Sequence, residues 1–266
     1  MKTVRCSGNI GDCIFSLPCC IAIGNIITYY LQTNITQKYY MDENNPHPCG
    51  NYRMTEDFAK KLIPLLESQP YIKKANIWND ENIDYDLDRF REMTATTDIP
   101  NCFLSIFNKT YNLNKPWLKI IPDLIFKDKI VINRTKRYLN TSINYSFLKK
   151  YKDIIVFTGL KDEYEDFKIH NFACDYYFAT DFLALAKVLA GAKAFIGNQS
   201  FAFTLAEGLK IPRLLEICLF AKTTKTYGGY ECLDQKEFMT YAEILIHNKN
   251  TFKNNKIVYC TPKIFL

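Results

Sequence analysis

The stretch from residue 194 to residue 217 constrains the fold most, because it reads as strand, turn, helix and strand. Ala194–Ile196 is an apolar run of strand type, and the Gly-Asn pair after it tolerates the positive φ of a tight turn. Ser200 is a good N-cap for a helix that should end near Lys210, since the proline two residues later cannot continue the ladder. Arg213–Ile217 is then predicted to be the second strand.

A unit of this kind places a loop at the carboxyl end of a strand and aims it at a helix N-terminus. Ligands bind at that edge of open α/β sheets, and the free N–H groups of the helix favour a phosphate. The chain begins with the same unit: the strand Lys2–Cys6, a Gly-containing turn, an apolar helix from Cys13 to about Ile23 and the strand Ile26–Leu31. Taken alone, these residues fit an α/β crossover with an empty loop equally well.

The length and composition fit two small domains or one large one. The chain has 266 residues, of which 48% are hydrophobic, so buried cores are expected. Prolines at 116 and 122 suggest a junction, with a first domain over residues 1–126 and a second over 127–266. The polar run 79–88 and the Thr-rich segment up to Pro100 are interpreted as loops flanking residues 89–93. Further strands are predicted at 71–78, 129–133 and 153–158, and further helices at 56–68, 182–190 and 235–246.

Cysteine and histidine usage gives no sign of a metal or disulfide framework. The ten cysteines form no C-x-x-C pair and the three histidines lack metal-ligand spacing, so we expect reduced thiols and a cytoplasmic protein without bound metal. The apolar N-terminal stretch is interrupted by Asp12 and Pro18, and we expect neither a signal peptide nor a membrane-spanning helix. The net charge of +6 lies partly in a basic tail after Glu243, which is interpreted as a solvated end and not as a nucleic-acid site.

Two segments resemble the ADP-heptose–lipopolysaccharide heptosyltransferase family. IGNQSFAFTLAEGLKIPRLLE is similar to the family's donor-site segment, roughly IGNDSGPMHLAAALGTPVVAL, and GNIGDCIFSLPCCIAIG is similar to its opening, roughly IGDVVLSLPALRALR. The resemblance is strongest over residues 1–31 and 153–217. It implies the GT-B fold, in which two Rossmann-like α/β domains face each other across a cleft and the C-terminal segment packs back on the first domain.

The resemblance also implies a reaction. A sugar would pass from a nucleotide-diphosphate donor to the hydroxyl of a saccharide or other acceptor, with inversion, no metal and no cofactor beyond the nucleotide sugar itself. No nucleic acid is expected as a partner, and a glycolipid acceptor would bring the protein to a membrane surface. A nucleotide-sugar epimerase and a non-catalytic nucleotide-sugar-binding protein share this fold, and both stay open as alternatives.

The candidate site residues come from the two loops, the strand ends and the family motifs. Asp12 matches the proposed general base of the family, although the turn alone favours a helix N-cap. Asn9 and Gly11 of the same turn are expected on the acceptor side. The residues predicted to bind the donor are Arg134, Lys136, Arg137, Gly159, Glu163, Gly197, Asn198, Gln199, Ser200 and Glu207. The three basic residues could equally be a solvated turn.

The sequence departs from the family in the donor-site loop. The family's Asp after Gly-Asn is Gln199, its Gly-Pro is Phe201-Ala202 and its His is Thr204. Glu207 is the nearest carboxylate to the position from which several GT-B enzymes bond the donor ribose. These differences leave the donor sugar and nucleotide undefined.

Overall fold

The computed structural model describes residues 1–37, 47–93, 97–220 and 224–247, which form two parallel β-sheets with helices packed on them. The first sheet has the order β3-β2-β1-β4 and the second has the order β10-β9-β8-β5-β6-β7. The strands are β1 (Lys2–Cys6), β2 (Ile27–Leu31), β3 (Ile72–Ile77), β4 (Tyr85–Asp86), β5 (Ile130–Asn133), β6 (Ile155–Thr158), β7 (Asp175–Tyr177), β8 (Ala194–Asn198), β9 (Arg213–Glu216) and β10 (Tyr230–Cys232).

The helices follow the strands as the right-handed crossovers of parallel sheets require. They are α1 (Ile10–Phe15), α2 (Leu17–Ile23), α3 (Glu56–Glu67), α4 (Ile99–Ile106), α5 (Lys161–His170), α6 (Phe182–Gly191), α7 (Phe201–Leu209) and α8 (Gln235–His247), with 3₁₀ turns at Leu87–Met93, Leu124–Phe126, Lys136–Tyr138 and Ser146–Ile154. Numbered within its own domain, the second sheet has the order 3-2-1-4-5-6 of the dinucleotide-binding folds, and the first sheet has the matching order 3-2-1-4. The predicted class of two Rossmann-like α/β domains is confirmed.

Residues 194–217 fold as predicted, as strand, turn, helix and strand. β8 ends at Asn198, the Ser200 hydroxyl accepts a hydrogen bond from the N–H of Phe203, and α7 begins directly behind it. α7 ends at Leu209, where Lys210 takes the left-handed conformation with φ of 58°. The helix therefore ends as predicted before Pro212, with Lys210 as its left-handed C-cap.

Two parts of the first domain differ from the sequence prediction. The helix predicted from Cys13 to Ile23 begins earlier, at Ile10, and consists of two helices that meet at Ser16. Pro18 lies in the first turn of α2, where its missing N–H costs no hydrogen bond. The loop predicted up to Pro100 ends at Asp98, and the next two residues are already the start of α4. The side chain of Asp98 caps this helix by accepting from the N–H of Asn101. The polar run contains the short strand β4.

The two domains share a continuous buried core. α1 and α3 of the first domain pack against α7 and α6 of the second, and one cluster of buried side chains runs from Val4 and Leu31 to Phe195 and Phe203. The strands of the two sheets lie within residues 2–86 and 130–232, and the boundary near residue 127 stays a prediction. The basic tail after His247, predicted to pack on the first domain, lies outside the described residues, as does Cys260.

None of the described helices combines the length and the apolar character needed to cross a membrane. The described cysteines carry free thiols, and all except Cys174 are buried.

Candidate functional site

The strand order of the second sheet reverses between β5 and β8, whose carboxyl ends lie side by side. Asn133 at the end of β5 pairs with Gly197 near the end of β8. Ligands of open α/β sheets bind in the crevice that such a reversal creates. The loops that leave the sheet here carry most of the residues predicted to bind the donor, and the fold brings them together.

Gly197 and Asn198 build this turn. A Cβ on Gly197 would lie 2.1 Å from the backbone oxygen of Asn133, so only glycine fits between the two strands. The fully buried Asn198 donates to the carbonyls of Thr135 and Tyr138 at 2.8 and 2.9 Å and accepts from the N–H of Thr135 at 2.9 Å. Asn198 thereby holds the loop after β5 against the start of α7.

The N-terminus of α7 lies at this crevice. Ser200 caps it through its hydroxyl, and its carbonyl accepts from the N–H and the hydroxyl of Thr204. The side chain of Gln199 is buried and accepts from the N–H of Cys218 at 3.3 Å. The first-turn N–H groups and the positive end of the helix dipole can therefore stabilise an anion in the crevice.

Basic side chains and one half-buried carboxylate form the neighbouring wall. Gly159 has φ of 146°, and a Cβ there would lie 3.0 Å from a carboxylate oxygen of Glu163. Glu163 accepts from the N–H of Leu160 at 3.1 Å. Burial raises the pKa of Glu163 to about 7, although that hydrogen bond and the charges of Arg137 and Lys136 oppose the rise. Glu163 therefore lies within electrostatic range of Lys136 and Arg137.

The first sheet has its own reversal point, between β1 and β4, and a charged cluster lies there. Asp88 accepts from the N–H of Ser7 at 2.9 Å and from Nη1 of Arg91 at 2.8 Å. Arg53 donates through Nη1 to the Ser7 hydroxyl at 3.2 Å. These groups surround the turn that carries Asp12.

Asp12 is the third residue of α1 and not its N-cap, which is Asn9. One of its carboxylate oxygens accepts from the N–H of Asn9 at 2.9 Å, as an acidic residue does at this position of a capping box. The positive end of α1 favours an ionised Asp12. Burial nevertheless raises the pKa of Asp12 above its usual value, with Arg91, the Asn9 N–H and Arg53 opposing the rise and Asp88 adding to it. A carboxylate with raised proton affinity at a ligand-binding edge can act as a base.

The two strand-end clusters face each other across the domain contact. A Cβ on Gly11 would lie 3.3 Å from the hydroxyl oxygen of Thr204, so the start of α1 approaches the start of α7. On the other side, burial and the nearby charge of Arg137 lower the pKa of His47 to about 4. A loop of the first domain therefore reaches the basic loop of the second. The predicted acceptor-side residue Asn9 lies in the same turn as Gly11.

Arg134 has a different role from the one predicted. Its guanidinium makes a two-point ion pair with Glu216, with distances of 2.8 Å from Nε and 3.1 Å from Nη2, and it also donates to the carbonyls of Asn140 and Ile143. It lies 4.7 Å from the centre of the Tyr145 ring. Arg134 therefore connects β5 to β9 inside the second domain, and we leave it out of the donor site.

Glu207 is likewise occupied. It is fully buried and is bonded to Nε of Arg213 at 2.5 Å, to Nζ of Lys210 and to the N–H of Tyr227 at 3.1 Å. A carboxylate that is fully buried and holds these three donors is not presented to a ribose in the crevice. The family position suggested a ligand, but the basic partners at positions 210 and 213 make this glutamate part of the core.

Sequence reasoning missed Asp88, Arg91, Arg53 and His47. The strand β4 is only two residues long and lies in a polar run, so neither apolar periodicity nor length marked the residues after it as a strand end. The available signal was a pair of acidic residues at alternate positions, Asp86 and Asp88, within a run of charged residues.

Among the described residues, no group of three or more His, Cys, Asp or Glu side chains is arranged to hold a metal ion.

No family model and no curated protein matches the sequence. Solved structures do match the fold. E. coli heptosyltransferase WaaC, bound to ADP-2-deoxy-2-fluoro heptose, superposes with a TM-score of 0.59 at 12% identity, over 91% of this chain and 99% of that one.

Two further structures have similar scores. The family 9 glycosyl transferase from Veillonella parvula has a TM-score of 0.56 at 9% identity, over 96% of this chain and 92% of its own. The iron-containing dodecameric glycosyltransferase TibC of enterotoxigenic E. coli has a TM-score of 0.52 at 12% identity, over 86% of this chain and 61% of its own. The chain thus has the GT-B fold of the heptosyltransferases, as predicted.

Proposed function

We propose that the protein is a glycosyltransferase that transfers a sugar from a nucleotide-diphosphate donor to an acceptor hydroxyl. One observation carries the proposal: the turn with Asp12, at the reversal point of the first sheet, lies next to the capped start of α7, at the reversal point of the second sheet. A base on one wall and an anion site on the other are what sugar transfer from a diphosphate requires. The solved structure of WaaC with an ADP sugar supports this choice of donor class.

In the proposed reaction Asp12 removes the proton of the acceptor hydroxyl while its oxygen attacks the anomeric carbon. The new C–O bond forms as the bond to the diphosphate breaks, and attack from the opposite face inverts the anomeric centre. Asp12 is suited to this step because burial raises its pKa, while Arg91 and Arg53 keep the ionised form accessible. The turn containing Asn9 and Gly11 would position the acceptor beside it.

The leaving diphosphate gains negative charge, which the second domain can stabilise. The N–H groups at the start of α7, behind Ser200, provide fixed donors, and Lys136 and Arg137 provide positive charge. These groups suffice in principle without a metal ion, so a metal-independent reaction is part of the proposal. In this proposal Glu163, with a pKa of about 7, hydrogen-bonds the nucleoside.

A panel of nucleotides followed by a transfer assay tests the proposal. We expect at least one of UDP, GDP, ADP and CMP to raise the melting temperature, since a ligand at 100 times its Kd stabilises by about 2.7 kcal/mol. The radiolabelled sugar nucleotide of that base should then release its nucleotide and label an added hydroxyl acceptor.

The other outcomes identify the alternatives. A changed sugar on an intact nucleotide would indicate an epimerase of the same fold. Binding without turnover, with every acceptor class tried, would indicate a non-catalytic nucleotide-sugar-binding protein. Absence of stabilisation by the whole panel would contradict a nucleotide-sugar site. The donor sugar, the acceptor and the cytoplasmic location stay predictions.

A further inference from the structure

The connection between the two domains presents three large aliphatic side chains to solvent. Ile121 is 84% exposed, Leu124 is 65% exposed and Ile125 is 83% exposed. They lie within five residues of one another, whereas most exposed apolar side chains of a folded protein are scattered singly. We call Ile121, Leu124 and Ile125 the aliphatic patch.

The backbone beneath the patch is firmly held. Asp123 donates its N–H to the carbonyl of Lys187 on α6, and its side chain accepts from the N–H of Ile125 at 3.1 Å. Its carbonyl would lie 1.9 Å from a Cβ on Gly191, so α6 approaches it as closely as a glycine allows. Phe126 is buried against the core. The three side chains are therefore presented by a fixed support and do not belong to a loosely packed end.

The charges around the patch are mainly positive. Lys115, Lys119 and Lys127 are exposed on the same segment, and none of them forms an ion pair with an acidic side chain in the described part of the chain. The acids between residues 115 and 129 are Asp128, which is exposed, and Asp123, which is partly buried and caps the 3₁₀ turn. This combination of aliphatic side chains and lysines matches the surface of an anionic bilayer. The aliphatic side chains would insert among the acyl chains, and the lysines would contact the negatively charged headgroups.

We propose that the aliphatic patch and its lysines bind the surface of a membrane containing anionic lipids. The patch precedes β5, whereas the candidate site lies at the carboxyl end of that strand, so binding here leaves the cleft open. A second copy of the chain fits less well, because a stable protein interface takes about 20–30 residues from each side and the patch supplies three. The proposal concerns attachment and does not depend on the reaction at the cleft.

Co-sedimentation of the full chain with lipid vesicles tests this. Wild-type protein should bind vesicles of phosphatidylcholine mixed with phosphatidylglycerol, bind vesicles of phosphatidylcholine alone much more weakly, and be released by salt. The variant I121S/L124S/I125S should lose about ten-fold or more in partitioning, and K119Q/K127Q should lose a similar factor on the anionic vesicles only.

The matched control is Ile169→Ser, which removes an aliphatic side chain that is 75% exposed on α5, between Lys168 and His170. It should bind as the wild type does, and all variants should keep the wild-type melting temperature because the altered side chains are exposed. Wild-type protein that ignores anionic vesicles would overturn the proposal, as would a patch variant that binds like the control. A wild-type dimer that becomes monomeric in the patch variant would show that a second copy covers the patch instead.

Discussion

Tyr227 of the second domain donates a hydrogen bond to Oδ2 of Asp98 in the first domain, at 2.9 Å. Asn101 donates to the same hydroxyl at 2.6 Å, and the N–H of Tyr227 is bonded to Glu207 at the end of α7. α7 begins at the proposed donor side, and α4, which Asp98 caps, follows the segment that carries Arg91. This contact therefore connects the start of α4 in the first domain to the end of α7 in the second, and so links the two sides of the proposed site.

Tyr227→Phe should weaken the connection between the domains. The substitution removes the hydroxyl and leaves the buried carboxylate of Asp98 with fewer donors, which we expect to lower the free energy of unfolding by about 1–2 kcal/mol. Transfer should slow as well, because the two walls no longer hold one geometry. Urea unfolding and the transfer rate are the measurements. The control is Tyr241→Phe, whose ring stacks on Tyr230 within the second domain, and equal stability losses in both variants would contradict the interdomain role.

Glu207→Ala should lower the free energy of unfolding far more than the substitution of a ligand-binding residue would. Removing this carboxylate leaves Arg213 and Lys210 buried without their counter-charge, at a cost of about 3–5 kcal/mol. Burial already lowers the pKa of Lys210 to about 7 against the opposing effect of Glu207. Denaturant unfolding checks the loss. A stable Glu207→Ala protein with weakened donor binding would restore the ribose role that we removed.

Glu207 and Arg134 show where sequence reasoning about the site reaches its limit. Both lie at positions typical of ligand contacts, and both are ion-paired within the second domain. The partners of Glu207 are close in sequence, Lys210 and Arg213, whereas the partner of Arg134 is Glu216, 82 positions along the chain. The pattern of a strand end with a charged residue is the same for a ligand clamp and for an internal ion pair. For Arg134, the pairing of distant strands decides between them, and a single sequence does not contain that information. For Glu207, burial of the whole group decides, although its basic partners stand nearby in the sequence.

The elements themselves were largely predictable where apolar periodicity was strong. β8, α7 and β9 carry both a clear period and a capping residue at Ser200, and they form within one or two residues of the predicted bounds. β4 and α4 were missed because their stability comes from contacts distant in sequence: Asp86 pairs with Arg5 on β1, and Tyr227 holds the cap of α4.

Lys136 and Arg137 should carry the donor affinity that we first attributed to three basic residues. K136A/R137A should raise the donor Kd at least ten-fold, since each charged hydrogen bond is worth about 1.5–3 kcal/mol, with the melting temperature nearly unchanged. Arg134→Ala should instead destabilise by about 3–5 kcal/mol, because Glu216 is fully buried. Calorimetric titration of donor and thermal melts separate the two effects, with the exposed Lys149→Ala as control. Unchanged donor binding in the folded double variant would remove the basic loop from the site.

Glu163 should make stability fall as the pH rises. Its pKa increases from 4.5 to about 7 on folding, mainly through burial, so the folded state favours the protonated form. The contribution is fully present below pH 4.5 and is lost as the pH passes through about 7. Glu163→Gln stays neutral, so it should match the wild type near pH 5 and exceed it by about 1–2 kcal/mol near pH 8, a figure reduced for partial exposure. If the difference in the free energy of unfolding between the two proteins does not change between pH 5 and pH 8, the pKa of Glu163 is not raised and the prediction is wrong.

Asp12→Asn tests the proposed base directly, because asparagine keeps an oxygen that can accept from the N–H of Asn9 and so preserves the start of α1. We expect a folded protein with near-normal donor binding and a transfer rate reduced by about 10²–10⁴, the usual contribution of a general base. The base must be ionised to act, and burial raises its pKa, so the wild-type rate should fall with decreasing pH at a higher value than an exposed aspartate would give. This acid-side fall in rate should be absent from the residual activity of the variant.

Asp88→Asn is the matched control, because it alters a neighbouring carboxylate that adds to the pKa rise of Asp12 without being the proposed base. It should shift the acid-side fall in rate to lower pH while retaining most of the rate. Transfer by Asp12→Asn within a few-fold of wild type would mean that Asp12 only stabilises the helix start and that the base lies elsewhere in the cleft.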